Sequence, residues 1–178
     1  MAIDWAPAVI WLAIIVWESA ALSSSETGRF LVPLLHALFP HATPQQLDFV
    51  HGLLRKAGHF FGYAVLSFFL YRGWWATLVN RAAGPRNLPD LRWRTMRSIF
   101  VGKASVLALF CTTFVAAMDE LHQSTQLSRT GTPRDVLLDS AGAWFAQMLI
   151  LVTASHWMRR ITARAKNLEE NREPILRP

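Results

Sequence analysis

Apolar residues fall in four blocks separated by polar punctuation, at approximately Trp5 to Leu22, Ala57 to Trp75, Ile99 to Met118 and Val136 to Trp157. Each approaches the roughly 20 residues that a helix needs to cross a hydrocarbon core. The pattern predicts an all-α, polytopic membrane protein of four transmembrane helices.

The punctuation predicts where helices begin. Thr43-Pro44-Gln45-Gln46 has a capping threonine, a proline at the first helical position and a glutamine able to reach back, so the second helix starts well before Ala57. Thr132-Pro133-Arg134-Asp135 opens the fourth in the same way, with Asp135 expected to bond back to the amide of its cap. Between the first two blocks, Arg29 to Phe39 is apolar but holds Pro33 and His36, and reads as a short helix in the interface or plugging the bundle.

Charge adds an orientation. Arg72, Arg81, Arg86, Arg92, Arg94 and Arg97 fall at or between the second and third blocks, and Arg159, Arg160, Arg164, Lys166, Arg172 and Arg177 follow the fourth. The positive-inside rule places both segments, and hence both termini, in the cytoplasm. Residues 1–166 are then one transmembrane domain and 167–178 a flexible cytoplasmic tail. The residues before the first block hold Asp4 and no Lys or Arg, which predicts a retained helix and not a cleaved signal.

Composition agrees with lipid contact: 52% of residues are hydrophobic and 17% charged. Trp5, Trp11, Trp17, Trp74, Trp75 and Trp157 lie near block ends, where an aromatic belt sits. The net charge of +6 is not arranged as a basic stripe on a polar domain, so no nucleic-acid partner is expected. The single cysteine, Cys111, lies within an apolar block and has no intrachain partner to bridge to.

Ionisable residues at membrane depth are costly, which draws attention to the outer ends of three blocks. Before and within the second block, Arg55, Lys56, His59 and Tyr63 occur together, with Lys56, His59 and Tyr63 on one helical face. Gly58 and Gly62 form a small-residue stripe that admits a neighbouring helix. The third block ends in Asp119, Glu120 and Gln123, and Asp135, Asp139 and Gly142 share a face of the fourth. Sequential antiparallel helices bring these groups to one level, where Arg129 in the connecting loop can fold over them.

In these positions the chain resembles the VanZ-like family, whose pattern is a basic residue and His with a Tyr one turn later, then Asp-Glu-x-x-Gln, an Arg, and Asp-x-x-x-Asn/Asp-x-x-Gly. The matching residues are Lys56, His59 and Tyr63; Asp119, Glu120 and Gln123; Arg129; and Asp135, Asp139 and Gly142. Asp139 stands where the family often has Asn, and Glu18 has no role in the pattern. The resemblance implies a multi-pass protein of the bacterial inner membrane, related to teicoplanin tolerance and facing the cell envelope.

Three readings of the cluster stay open. In an enzyme, His59 acts as general acid or base, with Asp119 or Glu120 as partner or nucleophile, and Arg55, Lys56 and Arg129 hold a phosphate of a lipid-linked, polyprenyl-phosphate envelope precursor. A variant recruits a divalent cation to His59, Asp119, Glu120 and Asp139. In a binding or transport protein the same cations, with Tyr63, Gln123, Asp135 and Asp139, hold a membrane lipid head group or anion. In a structural network the charges only tie helix ends together. No nucleophile elbow, phosphate-binding glycine loop or Cys-x-x-Cys motif is present.

Overall fold

Capping chemistry sets where the helices begin in the computed structural model, which describes residues 2–21, 24–82, 90–125 and 132–172. Five α-helices follow in order: α1 (Ala2–Ala21), α2 (Ser24–Leu38), α3 (Pro44–Ala82), α4 (Asp90–Ser124) and α5 (Pro133–Arg172). Among the described residues there is no strand. At the start of α3 the Gln46 amide donates to Thr43 Oγ1 at 3.3 Å, and the Thr43 amide donates to Gln46 Oε1 at 2.8 Å. This reciprocal box satisfies two amides that a bare helix start leaves open.

The start of α5 departs from expectation. Thr132 Oγ1 accepts from the Asp135 amide at 3.3 Å, but the Asp135 carboxylate accepts from the Thr132 hydroxyl at 2.9 Å instead of reaching the backbone. The Thr132 amide donates to Glu120 Oε2 of α4, at 3.0 Å. A carboxylate brought in by tertiary packing takes the position that local spacing assigns to Asp135.

Helix α3 is central: α1, α2, α4 and α5 all pack on it, and α4 and α5 also pack on each other. Near one end of α1, Trp5 Nε1 donates to Thr77 Oγ1 at 3.1 Å and its indole lies against Gly73. A Cβ on Gly73 would come within 2.8 Å of that ring, so glycine is what admits the tryptophan. Further along, Trp11 Nε1 donates to the Gly62 carbonyl at 2.9 Å, so α1 runs antiparallel to α3.

Three of the helices contain segments long and apolar enough to cross a membrane: Ala2–Ser19, Arg97–Ser124 and Pro133–Arg164. The pattern of apolar blocks predicts a fourth within α3, whose 39 residues are ample in length but less apolar. The physical reason is position. A helix enclosed by others carries polar residues inward, and Tyr63 and Ser67 of α3 are buried.

The bundle is apolar outside, and many of its buried residues are small or polar. Val106, Phe110 and Phe114 on α4 and Trp144, Phe145, Met148 and Leu149 on α5 are exposed, whereas Ala104, Ala108, Thr112, Ala116, Ala143 and Ser67 are buried. Water offers no reason to expose such a surface, and helices that associate in lipid pack through small residues. At the core of the α3–α5 contact, Gln147 Nε2 donates to both the backbone oxygen and Oγ of Ser67, at 3.1 and 2.7 Å. The chain is a membrane protein.

The same end of the bundle gathers Thr77, Arg97 and Trp157. The Arg97 guanidinium lies 5.8 Å from the Trp75 ring and 4.9 Å from the Trp157 ring, a cation held between two aromatic faces. Both α1's start and α5's later turns lie at this end. The polar cluster lies at the other, about 24 Å away along α3 between His59 and Trp75 at 1.5 Å per residue.

Candidate polar site at the helix ends

The stripe of α3 that faces the site is Arg55, Gly58, His59, Gly62 and Tyr63, repeating at three and four residues. With Ile15, Glu18 and Ser19 of α1, Leu31 of α2, Leu54 of α3 and Asp119 of α4, these residues line a cleft of about 180 Å³. Lys56, predicted to share the site face with His59 and Tyr63, is exposed and does not line it. The basic residue of the cleft is its neighbour Arg55, three residues before Gly58 and four before His59 on the same stripe.

The glycines serve a different end from the one their spacing suggests. A Cβ on Gly58 or Gly62 would meet nothing within 4 Å, so neither marks a close helix approach. Their missing side chains leave the cleft open. The tight approach is at Gly142 of α5, where a Cβ would collide with the backbone carbonyl of Phe60. This contact seats α5 against α3 one turn beyond Asp139.

Asp119 and Glu120, adjacent in sequence, turn to different partners. Asp119 Oδ2 accepts from Tyr63 OH at 3.1 Å and from Gln123 Nε2 at 2.9 Å. Gln123 also donates to Ser19 Oγ at 3.1 Å, joining α1 to the end of α4. Glu120 is buried and points to the start of α5, where it holds the Thr132 amide. Of the two, only Asp119 reaches the cleft wall.

His59 stands between the cleft and the interior. Its side chain is 26% exposed, while Nδ1 is buried and lies 3.4 Å from Oδ1 of Asp139. Its nearest carboxylate is therefore Asp139, with Glu120 in the same group. Asp139 is wholly buried, and neither of its oxygens has a hydrogen-bond partner. The His59 ring stacks on Tyr63 at a centroid distance of 6.4 Å and an angle of 21°.

The structure thus gathers Arg55, His59, Tyr63, Asp119, Glu120, Gln123 and Asp139 at one level. Asp135 accepts from the hydroxyl of the Thr132 cap at the start of α5, Lys56 is exposed, and Arg129 lies outside the described residues. Sequence reasoning missed Ser19 and left Glu18 without a role. A carboxylate interrupting an apolar helix is the signal that singles out Glu18; no comparable signal marks Ser19.

The arrangement separates two kinds of surface. The cleft presents a guanidinium, an imidazole and carboxylates beside the apolar Ile15, Leu31 and Leu54, and it adjoins the exposed Gly58 and Leu54 edge of α3. Behind it, one ligand atom each from His59, Glu120 and Asp139 lie within 4.8 Å of one another. The family model described as VanZ/LLP1 matches residues 5–154, a span that includes every residue of this site. No curated protein and no solved structure matches the chain.

Proposed function

The chain belongs to the VanZ/LLP1 family, and from that premise we propose that it binds the phosphate-bearing head group of a cell-envelope lipid at the extracytoplasmic face of the bacterial inner membrane. The observation that carries this reading is the cleft itself. Arg55 and His59 supply hydrogen-bond donors for phosphate oxygens, and Ile15, Leu31 and Leu54 supply an apolar wall along which an acyl or prenyl chain can continue. Asp119 has acceptor capacity beyond the two bonds it makes, suited to hydroxyls of a sugar-bearing head group.

The orientation belongs to the same proposal. Helix α3 serves as a fourth crossing, shielded from lipid by its neighbours, and the arginine-rich end lies in the cytoplasm with both termini. The polar cluster then faces the envelope. A lipid-linked, polyprenyl-phosphate precursor is a ligand of the right chemistry, and shielding such a precursor would lower sensitivity to teicoplanin.

The test is the melting temperature of detergent-purified protein with undecaprenyl phosphate and with undecaprenol. The proposal expects a rise with the phosphate and little change with the alcohol, and loss of the rise in Arg55→Ala and in Gly58→Leu, which fills the cleft. Equal shifts from both lipids, or shifts that survive both substitutions, would remove the head-group site.

A further inference from the structure

Of the second group of residues, behind the cleft, only His59 also takes part in head-group binding as proposed above; Glu120 and Asp139 do not line the cleft. Asp139 is wholly buried with both carboxylate oxygens unpartnered, and the facing His59 Nδ1 is buried and lacks a hydrogen bond as well. Buried polar atoms without partners are uncommon in native folds and call for a specific explanation. Here His59 Nδ1 faces the Asp139 carboxylate, with the buried Glu120 beside them.

His59 and Asp139 stand at ion-pair distance, but the contact is long for a hydrogen bond. Their separation of 3.4 Å exceeds the roughly 2.7–2.9 Å of a charge-assisted bond. It matches the edge of a coordination tetrahedron: two ligand atoms each about 2.1 Å from a central ion stand about 3.4 Å apart. Glu120 joins the group with its carboxylate already oriented by the Thr132 amide on Oε2, as supporting hydrogen bonds orient metal ligands.

Charge points the same way. With a metal bound, two carboxylates and a neutral imidazole would carry two negative charges, which a divalent cation cancels. One nitrogen and two carboxylate donors suit zinc or manganese, whereas calcium and magnesium favour oxygen alone. Three protein ligands leave a further position for water or another ligand, the usual form of a site that is not purely structural.

We propose that His59, Glu120 and Asp139 form a binding site for a divalent transition-metal ion, linking α3, α4 and α5 beneath the cleft. The inference is argued from the geometry of these three residues, of which only His59 is shared with the head-group reading.

The experiment uses full-length protein in detergent, stripped with EDTA and titrated with zinc chloride or manganese chloride by calorimetry, with bound metal counted by mass spectrometry. One equivalent per chain is expected, weakened about tenfold or more in Asp139→Asn and Glu120→Gln and unchanged in Asp135→Asn, a nearby carboxylate outside the triad. Should the triad variants fail to fold, pulsed electron paramagnetic resonance of manganese bound to the wild type reads the site directly, through hyperfine coupling to one imidazole nitrogen. Absence of a stoichiometric ion, equal loss in Asp135→Asn, or bound manganese without nitrogen coupling would overturn the proposal.

Discussion

At the residue scale, the site is built from side chains whose partners come from other helices. Tyr63 donates across from α3 to Asp119 of α4, and its ring stacks against His59. Tyr63→Phe keeps the ring and removes the donor, so a loss of about 0.5–1.5 kcal/mol is expected in chemical denaturation. Gln147→Leu, which leaves the buried Ser67 hydroxyl without its partner, should cost more, about 1–3 kcal/mol in the same measurement. A Gln147→Leu protein as stable as wild type would show that this pair does not hold α3 to α5. Much of the site's membership is legible in sequence because an ionisable residue in an apolar block is conspicuous, as His59, Glu120 and Asp139 are. The pairing is not legible: nothing in the spacing of Asp119 and Glu120 says that one turns to Tyr63 and the other to Thr132. Ser19 escapes because a single serine in a helix is unremarkable until Gln123 reaches it from more than a hundred residues away.

At the element scale, helix starts were readable and helix faces less so. The Thr43 and Thr132 caps rest on contacts within four residues, so their sequence signals suffice for the boundaries, while the amide partner of Thr132 comes from α4 and carries no local signal. Glycine stripes are ambiguous for a related reason, since the absence of a side chain permits either a close helix or an open groove. Gly142 and the Gly58–Gly62 pair resolve in opposite ways, and two substitutions separate them. Gly142→Ala would press a methyl into the Phe60 carbonyl and force α5 from α3, with an expected loss of about 1–3 kcal/mol in stability. Gly58→Ala and Gly62→Ala meet open space, and stability should hold or rise by up to about 1 kcal/mol from better helix propensity. A destabilised Gly62→Ala together with a neutral Gly142→Ala would reverse this assignment of the two contacts.

At the scale of the whole molecule, the arrangement has two unlike ends: arginine and tryptophan around Arg97 and Trp157, and the polar cluster about 24 Å away along α3. Three helices are long and apolar enough to cross a membrane, while α3, with buried polar side chains such as Tyr63 and Ser67, falls short of that apolarity; cysteine labelling tests whether it spans. In a Cys111→Ala background, His122→Cys should react with a membrane-impermeant thiol reagent on intact cells, and Asn80→Cys only after lysis. The opposite pattern would place the cluster in the cytoplasm and remove an extracytoplasmic ligand. The most direct measurement of the central claim is photo-crosslinking, with the wild-type protein in lipid nanodiscs and a polyprenyl phosphate carrying its photoreactive group beside the phosphate. The account predicts that labelled peptides cover residues 54–63 of α3 and that excess unlabelled undecaprenyl phosphate suppresses the labelling. Labels confined to the lipid-facing residues of α4 and α5, or undiminished by competition, would contradict a head-group site in this cleft.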